Sequence, residues 1–440
     1  MRSSVAKFGF SVATATHCGD GSGPRGHGFK SRHSDQKRQA SACRFLFYTA
    51  LKFLKNLLEF SFSTGGVYMV RHIKSFISKE PVFCISAFIA VLTMFIIPPD
   101  KEYLNYIDFR VLALLFCLMA VIAGLKSVGL FDWLTYRLFQ NIRNGRILGV
   151  TLVLLPFFSS MFITNDVALI IFVPFTIALS EQLGVKKHII PITVLQTVAA
   201  NLGSMATPVG NPQNLYLYSF YNMNISEFLS VTLPLTLISL VGLTLTSITV
   251  LPRSLNQHKI EKMSVNGKKQ LIICSLLFAL SLLTVFRVIP YPLTTVVTVA
   301  AVFITERKLF KDIDYMLLLT FVCFFVISEN LGRIEAVRDS LEQLLESDAL
   351  LTAIGTSQVI SNVPAAVVLS GFTQQWKTLL SGVNIGGLGT PVASLASLIT
   401  IKFYMRSSDS KVLRFLGYFT VVNIIALIIL VVFTKIFFNI

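Results

Sequence analysis

A polar phrase of nine residues is written twice into stretches that are otherwise apolar. Asn201-Leu202-Gly203-Ser204-Met205-Ala206-Thr207-Pro208-Val209 and Asn384-Ile385-Gly386-Gly387-Leu388-Gly389-Thr390-Pro391-Val392 carry Asn, Gly, Thr, Pro and Val at the same spacing. Glycine and proline weaken a helix, the first through backbone freedom and the second by lacking an N–H. At membrane depth no water meets the freed backbone groups, so such breaks survive only where they are buried in protein or line a cavity. A fold built from this chain must therefore place two broken helices in a protected interior.

The composition sets the solvent. Of 440 residues, 54% are hydrophobic and 14% charged, and the mean hydropathy is +0.70. Several apolar runs approach the ~20 residues needed to cross a bilayer, which implies a polytopic helical membrane protein with lipid as its surroundings. The net charge of +16 is not a nucleic-acid signature, because the basic residues sit between the apolar runs and no basic soluble domain exists to carry such binding. Cys18 and Cys43 precede the spans, and Cys84, Cys117, Cys274 and Cys323 lie within them. No metal-ligand spacing and no disulfide framework follows from these positions. Neither a catalytic dyad nor a phosphate-binding P-loop is present, so an enzyme and direct ATP drive from this chain are both disfavoured, and no cofactor is implied.

Residues 1–68 read differently, with ten Lys/Arg against three Asp/Glu. They lack the apolar core of a signal peptide. Gly28-Phe29-Lys30-Ser31-Arg32 can be encoded by a sequence resembling a transfer RNA T-arm. Gly65-Gly66-Val67 can be encoded by a ribosome-binding sequence just before Met69. The expectation is a non-native extension with a start at Met69; a disordered basic tail is the alternative.

From Met69 the apolar runs fall at about 82–98, 108–128, 147–180, 189–222, 227–251, 270–288, 291–305, 314–330, 349–373, 378–402 and 415–437. Assigning the Lys/Arg-rich loops to the cytoplasm makes both flanks of 147–180 cytoplasmic, so that segment goes in and returns. A re-entrant hairpin and two full crossings both satisfy this. Three blocks recur in order: Ile107-Asp108-Phe109 with Ile313-Asp314-Tyr315, Ser160-x-x-x-Thr164-Asn165 with Ser357-x-x-x-Ser361-Asn362, and Asn201…Val209 with Asn384…Val392. The loop charges send the two copies in opposite directions. The reading is an all-α membrane protein of two inverted-topology repeats, each with a re-entrant hairpin and a discontinuous helix. Repeat 1 spans 69–252, a cytoplasmic linker 253–269, and repeat 2 270–440.

Matched interrupted segments point to the substrate site of a secondary transporter. Helix N-termini at the breaks attract anions, while carbonyl ends and side-chain oxygens hold a dehydrated Na⁺. The candidate substrate-binding residues are Asn165, Asn362, Thr207, Pro208, Asn211, Thr390 and Pro391. The candidate coupling-ion residues are Ser160, Thr164, Asp166, Asn201, Ser357, Ser361 and Asn384, with Na⁺ as the candidate metal. The alternative is that these Ser, Thr and Asn residues merely join helices. Asp166 stands where repeat 2 has Val363. It binds a cation or proton, or it caps the helix that follows. Glu329-Asn330 closes a span and is left outside the site.

These motifs resemble the ion transporter superfamily of citrate and dicarboxylate symporters, arsenite permeases and Na⁺/H⁺ antiporters. Thr164-Asn165-Asp166-Val167-Ala168-Leu169 with Thr207-Pro208-Val209-Gly210-Asn211-Pro212-Gln213-Asn214-Leu215 looks most like its YbiR-like branch of bacterial anion permeases. The resemblance covers about Met69 to Ile440. It implies a homodimer in a bacterial inner membrane, working by elevator-type alternating access on a small-molecule or ion substrate. Dicarboxylate symporters commonly read Ser-Asn-Thr at the hairpin tips; Thr164-Asn165-Asp166 and Ser361-Asn362-Val363 depart from this, and the Asn-Asp pair resembles that of arsenite permeases. A symporter of a small anion and an efflux or antiport permease are both consistent with the residues.

Overall fold

The computed structural model describes Phe76 and residues 80–439, except 140–141, 143, 254–263 and 408–410. The expected extension 1–68, Met69 and most of the linker lie outside the described residues. Within them every regular element is helical. Seven helices are long and apolar enough to cross a membrane.

The first half begins with α1 (Pro81–Ile96) and α2 (Phe109–Ser127), followed by α3 (Leu130–Phe139) and a helical hairpin, α4 (Gly145–Ile163) and α5 (Asn165–Gln182). Then come α6 (Ile189–Ser204), α7 (Pro212–Phe220) and α8 (Ile225–Ile248). The second half holds α9 (Lys268–Val285), α10 (Tyr291–Thr305) and α11 (Tyr315–Gly332). It continues through α12 (Glu335–Ile360), α13 (Asn362–Ser370), α14 (Trp376–Ile385), α15 (Leu395–Met405) and α16 (Val412–Phe438).

Local chemistry accounts for several of these boundaries. Asp108 caps α2 by accepting the Val111 N–H at 3.0 Å, and Asp314 caps α11 by accepting the Leu317 N–H at 2.9 Å. The first recurring sequence block is thus a pair of helix N-caps. The run 189–222 divides into α6 and α7 on either side of Thr207-Pro208, and 378–402 into α14 and α15 on either side of Thr390-Pro391. Two segments depart from expectation. Residues 130–139, read as part of a basic loop, form α3, and the acidic stretch after Arg333 forms the first part of α12. Both are polar enough to escape a search for apolar runs, yet carry regularly spaced apolar residues, including buried Phe131, Phe139 and Leu345. Asp348, with φ −159 and ψ 91, interrupts α12; its carboxylate meets Lys435 at 2.7 Å.

Residues 72–440 form one compact unit, and the two halves interleave inside it. The first half's α2 packs against α9 and α10, while α1 packs against α11. Around the breaks the exchange repeats: α7 lies on α13, and α15 lies on α5. Leucine, isoleucine and valine side chains of α8 and α16, such as Leu237, Leu245, Ile428 and Ile436, are more than half exposed, a surface suited to lipid rather than water.

Candidate functional site

The two hairpins turn at Thr164 and Ser361. Their backbones are alike: φ 67 and ψ 150 at Thr164, φ 76 and ψ 155 at Ser361. Side chains other than glycine seldom adopt this region, which costs of order 1–3 kcal/mol and is found chiefly where function holds the strain in place. The turn starts a new helix at once, so the first N–H groups of α5 and α13 must find partners outside their own helix ladders, inside the protein.

Each opening helix docks on the far side of a break. The Asn165 N–H donates to the Gly210 carbonyl at 3.2 Å, and the Asn362 N–H to the Ala393 carbonyl at 2.9 Å. Gly210 and Ala393 follow Thr-Pro-Val at equal distance in the two phrases. The threonines close the same contact. Thr207 donates its hydroxyl to the Met161 carbonyl, and Thr390 to the Gln358 carbonyl at 3.3 Å. Met161 and Gln358 each sit three residues before their hairpin tip, so the structure brings the second and third sequence blocks together in both halves. Pro208 is buried and Pro391 half-buried in the turns that follow.

Glycine makes the close approach feasible. A Cβ on Gly203 would lie 2.1 Å from the Phe157 carbonyl oxygen, and at Gly389 φ is +104. Ser160 and Ser357 are fully buried beside these contacts and donate back to Phe157 at 2.9 Å and Ala353 at 2.7 Å. Their lone pairs remain available as acceptors.

The asparagines tie the halves to each other. Asn201 Oδ1 accepts from Asn165 Nδ2 and from Ser394 Oγ, each at 3.0 Å, while Asn201 Nδ2 donates to the Gly387 carbonyl at 3.3 Å. Asn384 Oδ1 accepts from Asn211 Nδ2 at 3.3 Å, and Asn384 Nδ2 donates to Asn214 Oδ1 at 2.7 Å and to the Leu380 carbonyl at 2.8 Å. Ser394 and Asn211 occupy matching positions, so each half sends one donor to the other half's asparagine. With these partners, Asn201 and Asn384 hold the site together and have little capacity left for an ion. Asn165 and Asn362 differ as well: Asn165 Nδ2 donates to Asn201, whereas Asn362 Oδ1 accepts from adjacent Ser361 Oγ at a long 3.5 Å.

Asp166 lies in the first turn of α5, which begins at Asn165 rather than Val167. The helix has no side-chain cap at Thr164, and the Asp166 Oδ1 is buried without a hydrogen-bond partner. Oδ1 thus does not serve the capping alternative. Gln213 Oε1 and Gln196 Oε1 are also buried without a partner. Ser394, Asn214, Gln213 and Gln358 belong to this region and were not among the expected residues. Each is a polar residue inside an apolar segment, a signal present in the sequence but overshadowed by the residues that match between halves.

A separate cavity of about 270 Å³ opens between α2, α7 and α11, lined by Asp108, Tyr216, Ser328 and Glu329 among others. None of the candidate substrate or coupling-ion residues lines it. Glu329 borders this space, and Asn330 instead bonds Thr93 at 3.0 Å and Tyr103 at 2.9 Å.

The sequence profile of the citrate transporter family matches residues 76–375, which include both hairpin tips and the first broken helix. The chain belongs to this family. It is 32% identical over 354 residues to an uncharacterized transporter of Methanocaldococcus jannaschii, covering 80% of this chain and 96% of that one. It is 30% identical over 315 residues to the inner membrane protein YbiR of Escherichia coli, covering 71% and 84% respectively. A shorter stretch of 146 residues, 33% of the chain, is 30% identical to the silicon efflux transporter of Oryza sativa subsp. japonica and covers 30% of that protein. The family and these relatives make the chain a membrane transporter.

Proposed function

We propose that this member of the family is a secondary active transporter of a small anion, a carboxylate or inorganic oxyanion, driven by a gradient of Na⁺ or H⁺. The observation that carries it is the pair of strained hairpin tips, Thr164-Asn165 and Ser361-Asn362, each docked on a broken helix. The N-terminal ends of α5 and α13 favour negative charge through the helix dipole, and neighbouring carbonyl and hydroxyl oxygens favour a small cation. Asn165, Asn362 and Asn211, with the Thr-Pro turns, face the substrate in this reading; Ser160, Ser357, Thr164, Ser361 and Asp166 serve the cation, and Asn201 and Asn384 position them. The matched caps, tips and breaks support an inverted repeat. The chain then sits in a cell membrane, the bacterial inner membrane by analogy with YbiR, as a homodimer.

A second reading is an efflux or antiport permease. It is favoured by the buried, unpartnered Oδ1 of Asp166, by the absence of Lys and Arg from the paired motifs, and by similarity to a silicon efflux transporter over a third of the chain. Purified protein in proteoliposomes, offered a panel of carboxylates, oxyanions and metalloids with and without a Na⁺ gradient, separates the two. Gradient-driven anion accumulation supports the symporter. Proton-driven export of a neutral solute or of Na⁺ overturns it.

A further inference from the structure

The cavity between α2, α7 and α11 lies apart from the hairpin tips and the breaks, and its walls have a chemistry of their own. Four aromatic rings line it, those of Tyr106, Tyr216, Phe220 and Phe325. Tyr216 gathers two of the others around it, with its ring centroid 5.4 Å from that of Phe220 and 5.7 Å from that of Phe325. Tyr106, Tyr216 and Phe325 are buried, while Phe220 is exposed. Both tyrosine hydroxyls are engaged, Tyr216 with Ser370 Oγ at 2.8 Å and Tyr106 with the Arg333 guanidinium at 2.8 Å, which fixes how the rings stand.

Two carboxylates share this lining, Asp108 and Glu329, and no Lys or Arg does. Asp108 accepts the Val111 N–H at 3.0 Å. Neither carboxylate forms an ion pair among the described residues. Arg110 follows Asp108 by two residues but is not part of the lining. Arg333, the cation that reaches Tyr106, is paired with Asp100 at 2.8 Å. Asp108 precedes the first turn of α2, and Glu329 lies in the last turn of α11. The opposite ends of these helices carry Lys126 and Lys311, so loop charge puts the cavity at the outer face.

We propose that this cavity is a binding site for a small organic cation, an alkylammonium group presented from outside. Ring faces attract such a group through their quadrupole, and the two unpaired carboxylates supply the opposite charge. A metal ion asks instead for several oxygens converging at short range, and four of the walls are hydrocarbon rings. The volume of about 270 Å³ falls just under the ~300–1,000 Å³ of drug-sized ligand sites, which suits a compact head group. The site goes beyond the transport reading above and does not rest on it.

The test is equilibrium dialysis of radioactive choline against the purified full-length protein in a non-ionic detergent. Dimethylbutanol, the uncharged isostere with carbon in place of nitrogen, serves as competitor, and radioactive calcium is run in parallel. Saturable binding of one choline per chain is expected, with no displacement by the alcohol and no calcium bound. Glu329→Gln and Asp108→Asn each remove one charge. Both should fold, because asparagine keeps the helix cap and the Glu329 carboxylate has no ion pair to lose. Each should weaken choline binding by about tenfold, and Phe220→Leu, which removes the exposed ring, by about two- to fivefold. Absence of saturable binding overturns the proposal, as does displacement by an equal concentration of the alcohol. Calcium binding that the Asp108 and Glu329 variants abolish would make this a metal site and overturn it as well. So would three folded variants that all bind choline as the wild type does.

Discussion

Asn165 and Asn362 stand at matching places with different surroundings, and that contrast makes them informative. Asn165→Ala removes one of two donors from Asn201 Oδ1, which keeps Ser394, and should lower stability by about 0.5–1.5 kcal/mol. Among the described residues, Asn362→Ala breaks a single long side-chain hydrogen bond, with Ser361, and should leave thermal stability in detergent near wild type. Both variants are expected to abolish uptake, read alongside membrane abundance and melting temperature. Wild-type uptake by either would remove that asparagine from the ligand set. Asp166 permits a cleaner separation of coupling from folding. Asparagine caps a helix about as well as aspartate, and the Asp166 Oδ1 makes no bond that an amide would lose. Asp166→Asn should therefore fold, bind the anion and fail to accumulate it against a gradient. Normal gradient-driven uptake by this variant would reject a coupling role.

At the scale of elements, the approach of broken helix to hairpin depends on backbone meeting backbone. Gly203→Ala places a methyl 2.1 Å from the Phe157 carbonyl oxygen, which cannot swing aside as a side chain could. Overpacking of a tight core costs about 1–3 kcal/mol, occasionally more, and here α4 and α6 must separate, so folded yield and melting temperature should fall together. Gly355 is the control within α12, because a Cβ there meets nothing within 4 Å. Gly355→Ala should be neutral or stabilise by up to about 1 kcal/mol through helix propensity. A melting temperature unchanged by Gly203→Ala would refute the close approach. The loop after α1 is tied to α11 differently, by Arg333 donating to Asp100 Oδ2 at 2.8 Å and to the Tyr106 hydroxyl at 2.8 Å. The Arg333 guanidinium holds the Asp100 carboxyl below the usual carboxylate range. A depressed folded pKa contributes stability above the unfolded value of about 4, and that contribution disappears as pH falls through the folded value. The melting temperatures of wild type and Arg333→Met should accordingly differ at neutral pH and converge in acid. A difference that persists or widens in acid would show that the carboxylate is not the partner that matters.

For the whole molecule, orientation follows from loop charge. In a background without native cysteines, Asn222→Cys should react with an impermeant thiol reagent from outside. Asn256→Cys, in the basic linker beyond the described residues, should react only after permeabilisation. The reverse pattern would invert the proposed topology. The interleaving of the halves matters at this scale because neither half contains a finished site. Asn211 reaches Asn384, and Ser394 reaches Asn201. A substitution in one phrase should thus disturb the other half's break, which double-mutant cycles on Asn211 and Asn384 can read as coupling.

Much of this architecture was legible in residue order alone. A bilayer forbids unpaired backbone outside helices, so apolar length and paired Gly and Pro breaks were enough to place most of the apolar helices, the breaks and both hairpin tips. The N-cap aspartates Asp108 and Asp314 were visible as a repeated block, because capping is a local interaction. The helices α3 and the first part of α12 were missed, since partial burial beside other helices, not apolar length, sustains them. The site was legible only where the two halves agree. The bonds of Asn201 to Asn165 and Gly387, those of Asn384 to Asn211 and Asn214, and the place of Gln358 in the α14 break depend on residues more than twenty positions apart meeting across packed helices. Those meetings are set by close approach at glycines and by the need to satisfy every buried donor and acceptor, which is a property of the assembled interior and not of any one segment.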